Sequence, residues 1–213
     1  MKTLSSLFLL FLMLACNRKQ EEQTKTQLTR AKGTEKTATF AAGCFWSTQE
    51  GFLELKGVIK ATSGYTGGST KDPTYEEVST GLTGHAEGVQ VIYNPDIISF
   101  AQLVEAFFYM HDPTQLNRQG PDFGTNYRSI AFYRNAEEKK EIENVRLKFN
   151  RAKLHSEPIV TEIKAFEVFY PAEDYHQNYY RQHPNDGYVT NVCGPKLNKL
   201  RAALPELLKD KFR

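Results

Sequence analysis

The sequence has few cysteines and lacks the common metal-binding and nucleotide-binding motifs. Its three cysteines, Cys16, Cys44 and Cys193, form no CxxC pair and no Cys/His cluster with zinc-ligand spacing. A structural metal is therefore not expected. No segment has the GxGxxG or Walker spacing that binds phosphates. We expect neither a metal nor an organic cofactor.

An excess of charge of one sign is also missing. The net charge is +2, from 27 basic and 25 acidic residues, and no basic stripe with interleaved aromatics stands out. This balance argues against a nucleic-acid-binding surface. The 213 residues are 40% hydrophobic, which is enough for one sizeable core, and no internal repeat suggests a second domain. We expect a monomer with one folded domain.

No apolar run is long enough to span a membrane as a helix of about 20 residues. The apolar run at residues 4–15 follows Lys2 and ends at small Ala15, which is a secretory signal pattern. Met13-Leu14-Ala15-Cys16 resembles the bacterial lipobox, in which the Cys is lipidated. Met replaces the usual Leu at the first position, so cleavage without lipidation stays open.

These features predict a signal peptide of the lipoprotein type at residues 1–15 and an exported protein. A lipid on Cys16 would hold it at the periplasmic or cell-surface side, with no other membrane contact. Residues 16–36 are polar and charged and predict a flexible tether. The folded domain is then expected at residues 37–213.

The folded part alternates between strand-like and helix-like segments. Ser99 and Asn135 are typical helix N-caps. The pattern predicts strands at residues 58–62, 89–93, 129–133, 159–163 and 166–169, with a turn at 164–165. It predicts helices at residues 45–55, 100–111, 136–154, 172–182 and 195–209. In the second and third of these helices apolar residues recur at helical spacing, and Ile142, Val145, Leu147 and Phe149 are expected to face the core. This order indicates an α+β fold, a mixed sheet covered by helices, with long functional loops.

Cys44 lies where a short apolar run meets the predicted helix at 45–55. A thiol at a helix N-terminus faces unpaired N–H groups and the positive end of the helix dipole, which lower its pKa. A lone Cys in an apolar stretch is more often inert packing. Cys44 and Cys193 are the pair left if Cys16 is lipidated, either as a static disulfide or as a redox pair, and the sequence slightly favours the static bridge.

The loops between these elements carry sets of polar and aromatic residues that, taken together and in order, resemble the A-type peptide methionine sulfoxide reductases. The resemblance covers about residues 38–201. It rests on seven motifs: Gly-Cys-Phe-Trp, Gly-Tyr-Thr-Gly-Gly, Pro-Thr-Tyr, Gly-His-Ala-Glu, Gly-Thr-Asn-Tyr-Arg-Ser, Ala-Glu-Asp-Tyr-His-Gln and Pro-Lys-Leu. It implies reduction of the S-epimer of methionine sulfoxide, in oxidised proteins and as the free amino acid.

The resemblance implies catalytic roles for five residues. Cys44 matches the nucleophile, whose thiolate attacks the sulfoxide sulfur. Glu87 matches the acid that protonates or hydrogen-bonds the departing oxygen. It must be neutral to donate, so burial must raise its pKa. Tyr75 and Tyr127 match hydroxyls that bind the sulfoxide oxygen. Asp122 lies in the matching loop and is expected to act through bound water or by orienting these donors.

The resemblance also implies a substrate wall and a recycling route. Phe45 and Trp46 match the apolar walls that receive the methyl group. A sulfenic acid on Cys44 would be captured by Cys193 as a disulfide, and thioredoxin or a thioredoxin-like protein would supply the electrons. Here the sequence departs from the family, in which a recycling Cys often follows the Tyr directly. Val189 occupies that position, and Cys193 lies four residues further on.

Two other functions compete with this interpretation. A papain-like cysteine hydrolase would pair Cys44 with a histidine such as His176, but its Cys-Gly-x-Cys-aromatic signature is absent. A surface lipoprotein that binds a partner would use its aromatic-rich loops, which leaves the set of Cys44, Tyr75, Glu87 and Tyr127 unexplained.

Overall fold

A six-stranded sheet forms the centre of the computed structural model, which describes residues 25–213. The predicted signal peptide and Cys16 lie outside the described residues. The strands are β1 (Lys36–Ala42), β2 (Val58–Thr66), β3 (Ala86–Tyr93), β4 (Arg118–Gln119), β5 (Asp122–Phe123), β6 (Ser129–Tyr133), β7 (Glu162–Ala165) and β8 (Phe169–Pro171). The helices are α1 (Phe45–Glu54), α2 (Tyr75–Ser79), α3 (Phe100–Met110), α4 (Ala136–Arg151), α5 (Tyr179–Gln182) and α6 (Gly194–Ala203).

The sheet is mixed, as the sequence predicts. Its strand order is β7-β6-β1-β3-β2-β8, and β4 and β5 form a separate hairpin. The pairs within the order β6-β1-β3-β2-β8 are antiparallel, whereas β6 and β7 are parallel. The expected α+β class, with one domain and helices over a mixed sheet, is confirmed. Strands β1 and β3 are antiparallel neighbours at the centre of the sheet, so the end of β1 lies beside the start of β3.

The main hydrophobic core lies on the sheet face that carries α1 and α3. Phe40 of β1 points into it and stacks on Phe52 of α1 and on Phe107 of α3, with ring centroids 5.1 and 5.2 Å apart. The next residue, Ala41, points to the other face because side chains alternate along a strand. There it joins a smaller cluster with Ile130 and Phe132. The large core fixes α1 against the sheet and so fixes the position of its N-terminus.

The helix starts predicted from capping residues are confirmed. Ser99 accepts a hydrogen bond from the Gln102 N–H in a full capping box at the start of α3. Asn135 accepts one from the Glu138 N–H at the start of α4. The inward direction predicted for Leu147 is wrong, since this side chain is 47% exposed. Ile142 and Phe149 are buried, and Leu147 lies on another side of a helix with 3.6 residues per turn.

The predictions for residues 159–182 contain the largest errors. Residues 164–165, predicted as a turn, lie inside β7. The helix predicted at 172–182 is instead a 3₁₀ turn (Asp174–His176), a left-handed Asn178 and the four-residue α5. Hydrogen bonds to β2 override helix propensity there: the Ala172 N–H donates to the Ser63 carbonyl, and the Gln177 side chain bonds both backbone groups of Ser63.

The C-terminal helix is shorter than predicted. It ends at Ala203, and Pro205 follows soon after. The chain then passes the end of α1, where Leu208 forms an isolated β-bridge with Leu55. Within residues 25–213, no helix has the length and apolar character needed to cross a membrane.

Residues 25–35 belong to the segment predicted as a tether. The Lys25 ammonium lies 2.7 Å from the Asp72 carboxylate, and the Thr26 hydroxyl donates to Asp174 over 2.6 Å. This part of the segment therefore lies against the domain. Strand β1 begins at Lys36, one residue before the predicted start of the domain.

Candidate active site

Cys44 lies at the N-cap of α1, directly after β1 ends. Gly43 makes the sharp change of direction between them, with a φ of +77° that favours glycine. The hydroxyls of Ser47 and Thr48 both donate to the Cys44 carbonyl over 3.1 Å. These contacts fix the backbone of Cys44, and its side chain is only 5% exposed.

Glu87 on β3 faces the start of α1. Its Oε2 accepts a hydrogen bond from the Phe45 N–H over 3.0 Å, and the residue is 3% exposed. Burial, and then the nearby Cys44, raise the pKa of Glu87 well above its usual value. This shift favours the protonated carboxyl, which is the state that an acid catalyst needs. The Phe45 N–H occupies one carboxyl oxygen and leaves the other free to hold the proton.

Tyr75 is the first residue of α2, whose start is fixed by a capping box between Thr74 and Glu77. The Tyr75 N–H also donates to the Glu173 carboxylate over 3.1 Å, and the Tyr65 hydroxyl donates to the same carboxylate over 2.7 Å. Buried Glu173 thus ties the start of α2 to strand β2. This arrangement holds Tyr75 against the site.

Tyr127 ends a 3₁₀ turn (Thr125–Tyr127) just before β6. Burial, and then the nearby Glu87 carboxyl, raise the pKa of both Tyr75 and Tyr127. Both hydroxyls therefore keep their protons at neutral pH and can donate hydrogen bonds. Two phenolic donors beside a protonated carboxyl form a site for an oxygen atom that gains negative charge.

Asp122 comes from the β4–β5 hairpin and accepts a hydrogen bond from the Tyr188 hydroxyl over 2.5 Å. Burial, followed by the effect of Cys44, raises the pKa of Tyr188. Tyr188 packs edge-on against Trp46, with ring centroids 5.7 Å apart. Asp122 therefore connects the hairpin to the aromatic wall of the site.

The aromatic wall is built on Trp46, the single tryptophan of the chain. The indole stacks on Tyr179 with 3.7 Å between ring centroids, and its Nε1–H donates to Nδ1 of His176 over 3.1 Å. Phe45 also packs against His176, with centroids 4.9 Å apart. His176, the histidine considered for a papain-like pair, is thus a packed and hydrogen-bonded ring within the wall.

These side chains enclose one cavity of about 260 Å³. It is lined by Cys44, Phe45, Trp46, Tyr75, Glu87, Asp122, Tyr127, Asp186 and Tyr188. All seven residues that the sequence assigned to catalysis or substrate binding are among them. Asp186 and Tyr188 were missed, although both lie in the same segment as Cys193. The signal that could have found Tyr188 is its position before Val189, where family members often have a recycling Cys.

A larger cavity of about 580 Å³ lies elsewhere, between the end of α3 and α6. Its lining includes Tyr109, His155 and Lys199 and none of the residues above. Nothing there combines a thiol with an acid. The smaller cavity is therefore the candidate active site.

Cys193 is the last residue of a π-helical turn (Val189–Cys193) that leads into α6. Both cysteines are free and buried, and they lie close enough for each thiol to act on the pKa of the other. The fold thus brings together two thiols that are far apart in sequence. The static disulfide that the sequence slightly favoured is not formed here.

The expectation that the helix N-terminus lowers the pKa of Cys44 is wrong for this state. Burial and the hydrogen bond with Cys193 raise its pKa, and they outweigh the opposing effects of Lys196 and the Trp46 N–H. The dipole of a short helix contributes only about 0.3–1 kcal/mol at an exposed site, less than the cost of burying a thiolate. Cys44 is therefore a thiol at neutral pH in the free protein.

The geometry does not support a papain-like pair. Nδ1 of His176 is occupied by the Trp46 indole, and Nε2 is buried without a hydrogen-bond partner among the described residues. Burial lowers the pKa of His176 to about 4. A neutral ring that bonds to an indole is not the base of a Cys–His pair.

Comparison with known proteins gives one family. A family model described as peptide methionine sulfoxide reductase matches residues 36–207. The peptide methionine sulfoxide reductase MsrA of Natronomonas pharaonis is 48% identical over 170 residues, 80% of this chain and 96% of that protein. The MsrA of Thermus thermophilus is 46% identical over 175 residues, 82% of this chain and 98% of that protein.

Solved structures of similar proteins align with this chain over most of its length. Reduced Mxr1 from Saccharomyces cerevisiae aligns with a TM-score of 0.69 and 34% identity, over 74% of this chain and 91% of that one. Methionine sulfoxide reductase A of Corynebacterium diphtheriae aligns with a TM-score of 0.66 and 35% identity, over 74% and 79%. Mxr1 has also been solved in complex with Trx2.

Proposed function

The chain belongs to the peptide methionine sulfoxide reductase family, and we propose that Cys44 is its reducing thiol and Glu87 its proton donor. As a family member it is an oxidoreductase that acts on sulfur and returns methionine S-sulfoxide to methionine. One observation supports the residue assignment: Cys44, Glu87, Tyr75 and Tyr127 all line the same cavity.

The sulfoxide oxygen is the group that this arrangement suits best. Tyr75 and Tyr127 donate hydrogen bonds to it, and Glu87 gives it a proton as the S–O bond polarises. Asp122 lines the same cavity as these donors, and its hydrogen bond to Tyr188 holds that ring in place beside Trp46. The cavity wall formed by Phe45 and Trp46 receives the methyl group, so that the S-epimer places its sulfur against Cys44.

The first step needs no external proton. The Cys44 sulfur attacks the sulfoxide sulfur, the oxygen transfers to Cys44, and the sulfide leaves as methionine. The Glu87 proton goes to the oxygen, and the Cys44 thiol proton replaces it on Glu87. A thiol and a sulfoxide thus give a sulfenic acid and a sulfide, which balances atoms and electrons.

We propose that Cys193 captures the sulfenic acid. Its thiol attacks the Cys44 sulfur, a Cys44–Cys193 disulfide forms, and the hydroxyl leaves as water. The two thiols are buried side chains that act on each other's pKa, which supports this route. A thioredoxin or thioredoxin-like protein then supplies two electrons and two protons, a proposal supported by the complex of Mxr1 with Trx2.

Export and lipid anchoring through Cys16 stay proposals, supported by the signal pattern at residues 1–15. We propose a monomer whose catalytic domain stands on the periplasmic or cell-surface side. Growth with a labelled fatty acid tests the anchor: wild type should carry the label and Cys16→Ser should not. Equal labelling of the two would contradict it.

The catalytic assignment is tested on the full chain with separated S- and R-epimers of methionine sulfoxide. Wild type should reduce the S-epimer when a dithiol is supplied, and Cys44→Ser should reduce neither. Cys193→Ser should release one methionine per enzyme and keep a sulfenic acid. Mass spectrometry after one turnover without reductant should find a Cys44–Cys193 disulfide in wild type; a persistent sulfenic acid there would overturn the role of Cys193.

A further inference from the structure

Lys196 is a charged residue that the proposed mechanism leaves without a role. It is the third residue of α6 and follows Cys193 by three positions. Cys193 itself has helical φ and ψ of −71° and −45°, so the two side chains lie on the same face of a continuous helix. Lys196 is therefore the charged neighbour that the helix places beside the recycling thiol.

The Lys196 ammonium is in an unusual position for a cation. Its Nζ is buried and has no hydrogen-bond partner among the described residues. A buried charge without a partner is costly, and proteins normally pair it with an opposite charge. The thiols of Cys193 and Cys44 are the nearby groups that gain negative charge during the proposed cycle.

The charge of Lys196 acts on both thiols from outside the substrate cavity. Lys196 is absent from the lining of the cavity that holds Cys44 and Glu87. It lines a second cavity of about 260 Å³, together with Met110, Gln119 and Asn191. Its charge can therefore act on the sulfur atoms while the sulfoxide occupies the first cavity.

We propose that Lys196 is a positioning residue for recycling, holding the Cys193 sulfur as a thiolate against the oxidised Cys44. This inference rests on the proposed role of Cys193. The thiolate attacks the Cys44 sulfenic sulfur, the S–S bond forms as the S–O bond breaks, and the oxygen leaves as water after taking one proton. The sulfenic sulfur is reduced and the thiolate is oxidised, so the step needs no further oxidant.

The electrostatics around Cys193 agree with this role. The hydrogen bond from Cys44 lowers the pKa of Cys193, burial opposes it, and the charge of Lys196 lowers it further. Other titratable groups lie near the two thiols and Lys196: Glu87 on β3, His111 and Asp112 at the end of α3, Asp122 on β5, Tyr188, and Lys199 on α6. Burial lowers the pKa of His111 to about 3, so this ring adds no positive charge at neutral pH.

The test is a single turnover of the full-length protein with S-epimer methionine sulfoxide and no reductant, between pH 6 and pH 10. Methionine release and disulfide formation are followed separately, by chromatography and by mass spectrometry of quenched samples. Lys196→Met removes the charge, Lys196→Gln does so with a polar side chain, and Lys196→Arg keeps it. Lys199→Met is the matched control, because Lys199 is an exposed lysine one turn along the same helix.

Removing the charge should move the pH midpoint of disulfide formation upward by about one unit. On the acid side of the midpoint the thiolate is then about tenfold rarer, but its nucleophilicity rises with its pKa, so the rate should fall by roughly threefold. On the alkaline side the Met and Gln variants should be faster than wild type. A purely structural defect would slow the step at every pH.

Lys196→Arg and Lys199→Met should keep the wild-type midpoint. Wild-type rates and an unchanged midpoint in Lys196→Met and Lys196→Gln would overturn the role of Lys196 alone. Failure of wild type to form any Cys44–Cys193 disulfide would overturn the proposed role of Cys193, and the role of Lys196 with it. Release of one methionine per enzyme verifies that each variant is folded.

Discussion

The Phe45 N–H donates to Oε2 of Glu87 over 3.0 Å, and this bond joins the start of α1 to strand β3. It has two consequences. Glu87 is held beside Cys44 at a fixed distance from the helix, and one of its two oxygens is used as an acceptor. The other oxygen is therefore the one available to the substrate. A substitution can remove the acid and still keep the hydrogen bond to the Phe45 N–H.

Glu87→Gln should separate them. The amide oxygen can still accept from the Phe45 N–H, so the fold should be kept, but an amide is not an acid. We expect methionine release in a single turnover to slow by about 10²–10⁴-fold. Because the pKa of Glu87 is raised, the wild-type rate of this step should fall as the pH rises through that pKa, and the variant should lack this decline. A wild-type rate in Glu87→Gln across neutral pH would remove Glu87 from the acid's role.

Gly43 should be intolerant of any side chain. Its φ is +77°, and a Cβ there would lie 2.5 Å from the Gln119 side chain. Gly33 is the matched control, because its φ is +59° and nothing lies within 4 Å of a Cβ at that position. Gly33→Ala should cost at most about 1–2 kcal/mol of unfolding free energy for the left-handed backbone.

Gly43→Ala should lose more stability than Gly33→Ala and should also lose activity, because the clash displaces the N-cap that carries Cys44. Urea unfolding and steady-state turnover measure both effects. Equal losses of stability in the two variants, with full activity in Gly43→Ala, would show that Gln119 moves aside freely.

Local sequence signals predicted several helix starts correctly. The errors arose where contacts between residues far apart in the sequence determine the structure. Ser99 and Asn135 cap their helices through residues three positions on, so a sequence window contains the whole interaction. Residues 172–182 fail as a helix because Ala172 and Gln177 bond to Ser63 on another strand. No local pattern contains that information.

The same division applies to the active site. The resemblance to the reductase family singled out Cys44, Glu87, Tyr75 and Tyr127, because the family motifs that contain them are short and contiguous in the sequence. The protonation state of Cys44 did not follow from its place at a helix start. It depends on burial and on Cys193, and neither can be read from the residues around Cys44.

His111 should make the protein less stable in acid. It is buried, hydrogen-bonded to the Phe107 carbonyl and to Ser129, and burial lowers its pKa to about 3. The unfolded chain binds a proton at this residue below about pH 6.5, whereas the folded protein does not. The stability conferred by the neutral ring is therefore complete above pH 6.5 and is lost as the pH falls towards 3, by about 1.4 kcal/mol per pH unit.

Urea unfolding at pH 7 and pH 4.5 tests this prediction. His111→Asn should be less stable than wild type at pH 7, but the difference should shrink at pH 4.5. His183→Asn serves as the control, since His183 is exposed at the end of α5, and it should follow the wild-type pH dependence. If the difference in unfolding free energy between wild type and His111→Asn is the same at both pH values, His111 is not the source of the loss of stability in acid.

His176 should set the orientation of Trp46. Its Nδ1 accepts from the indole N–H over 3.1 Å, and because burial lowers its pKa to about 4, the ring stays neutral and keeps this acceptor at neutral pH. His176→Asn offers an amide oxygen close to the position of Nδ1, whereas His176→Leu offers no acceptor. Losing a hydrogen bond of about 0.5–1.5 kcal/mol should raise KM by roughly 2- to 12-fold in the Leu variant, with a smaller change in kcat.

Tryptophan fluorescence gives an independent measurement, because Trp46 is the single tryptophan and its emission reports on this wall directly. The Leu variant should shift the emission maximum, and the Asn variant should stay close to wild type in both emission and KM. An equal rise in KM for both variants would mean that the bulk of the ring, and not its acceptor nitrogen, holds the indole. Unchanged emission and KM in His176→Leu would mean that stacking on Tyr179 alone is sufficient.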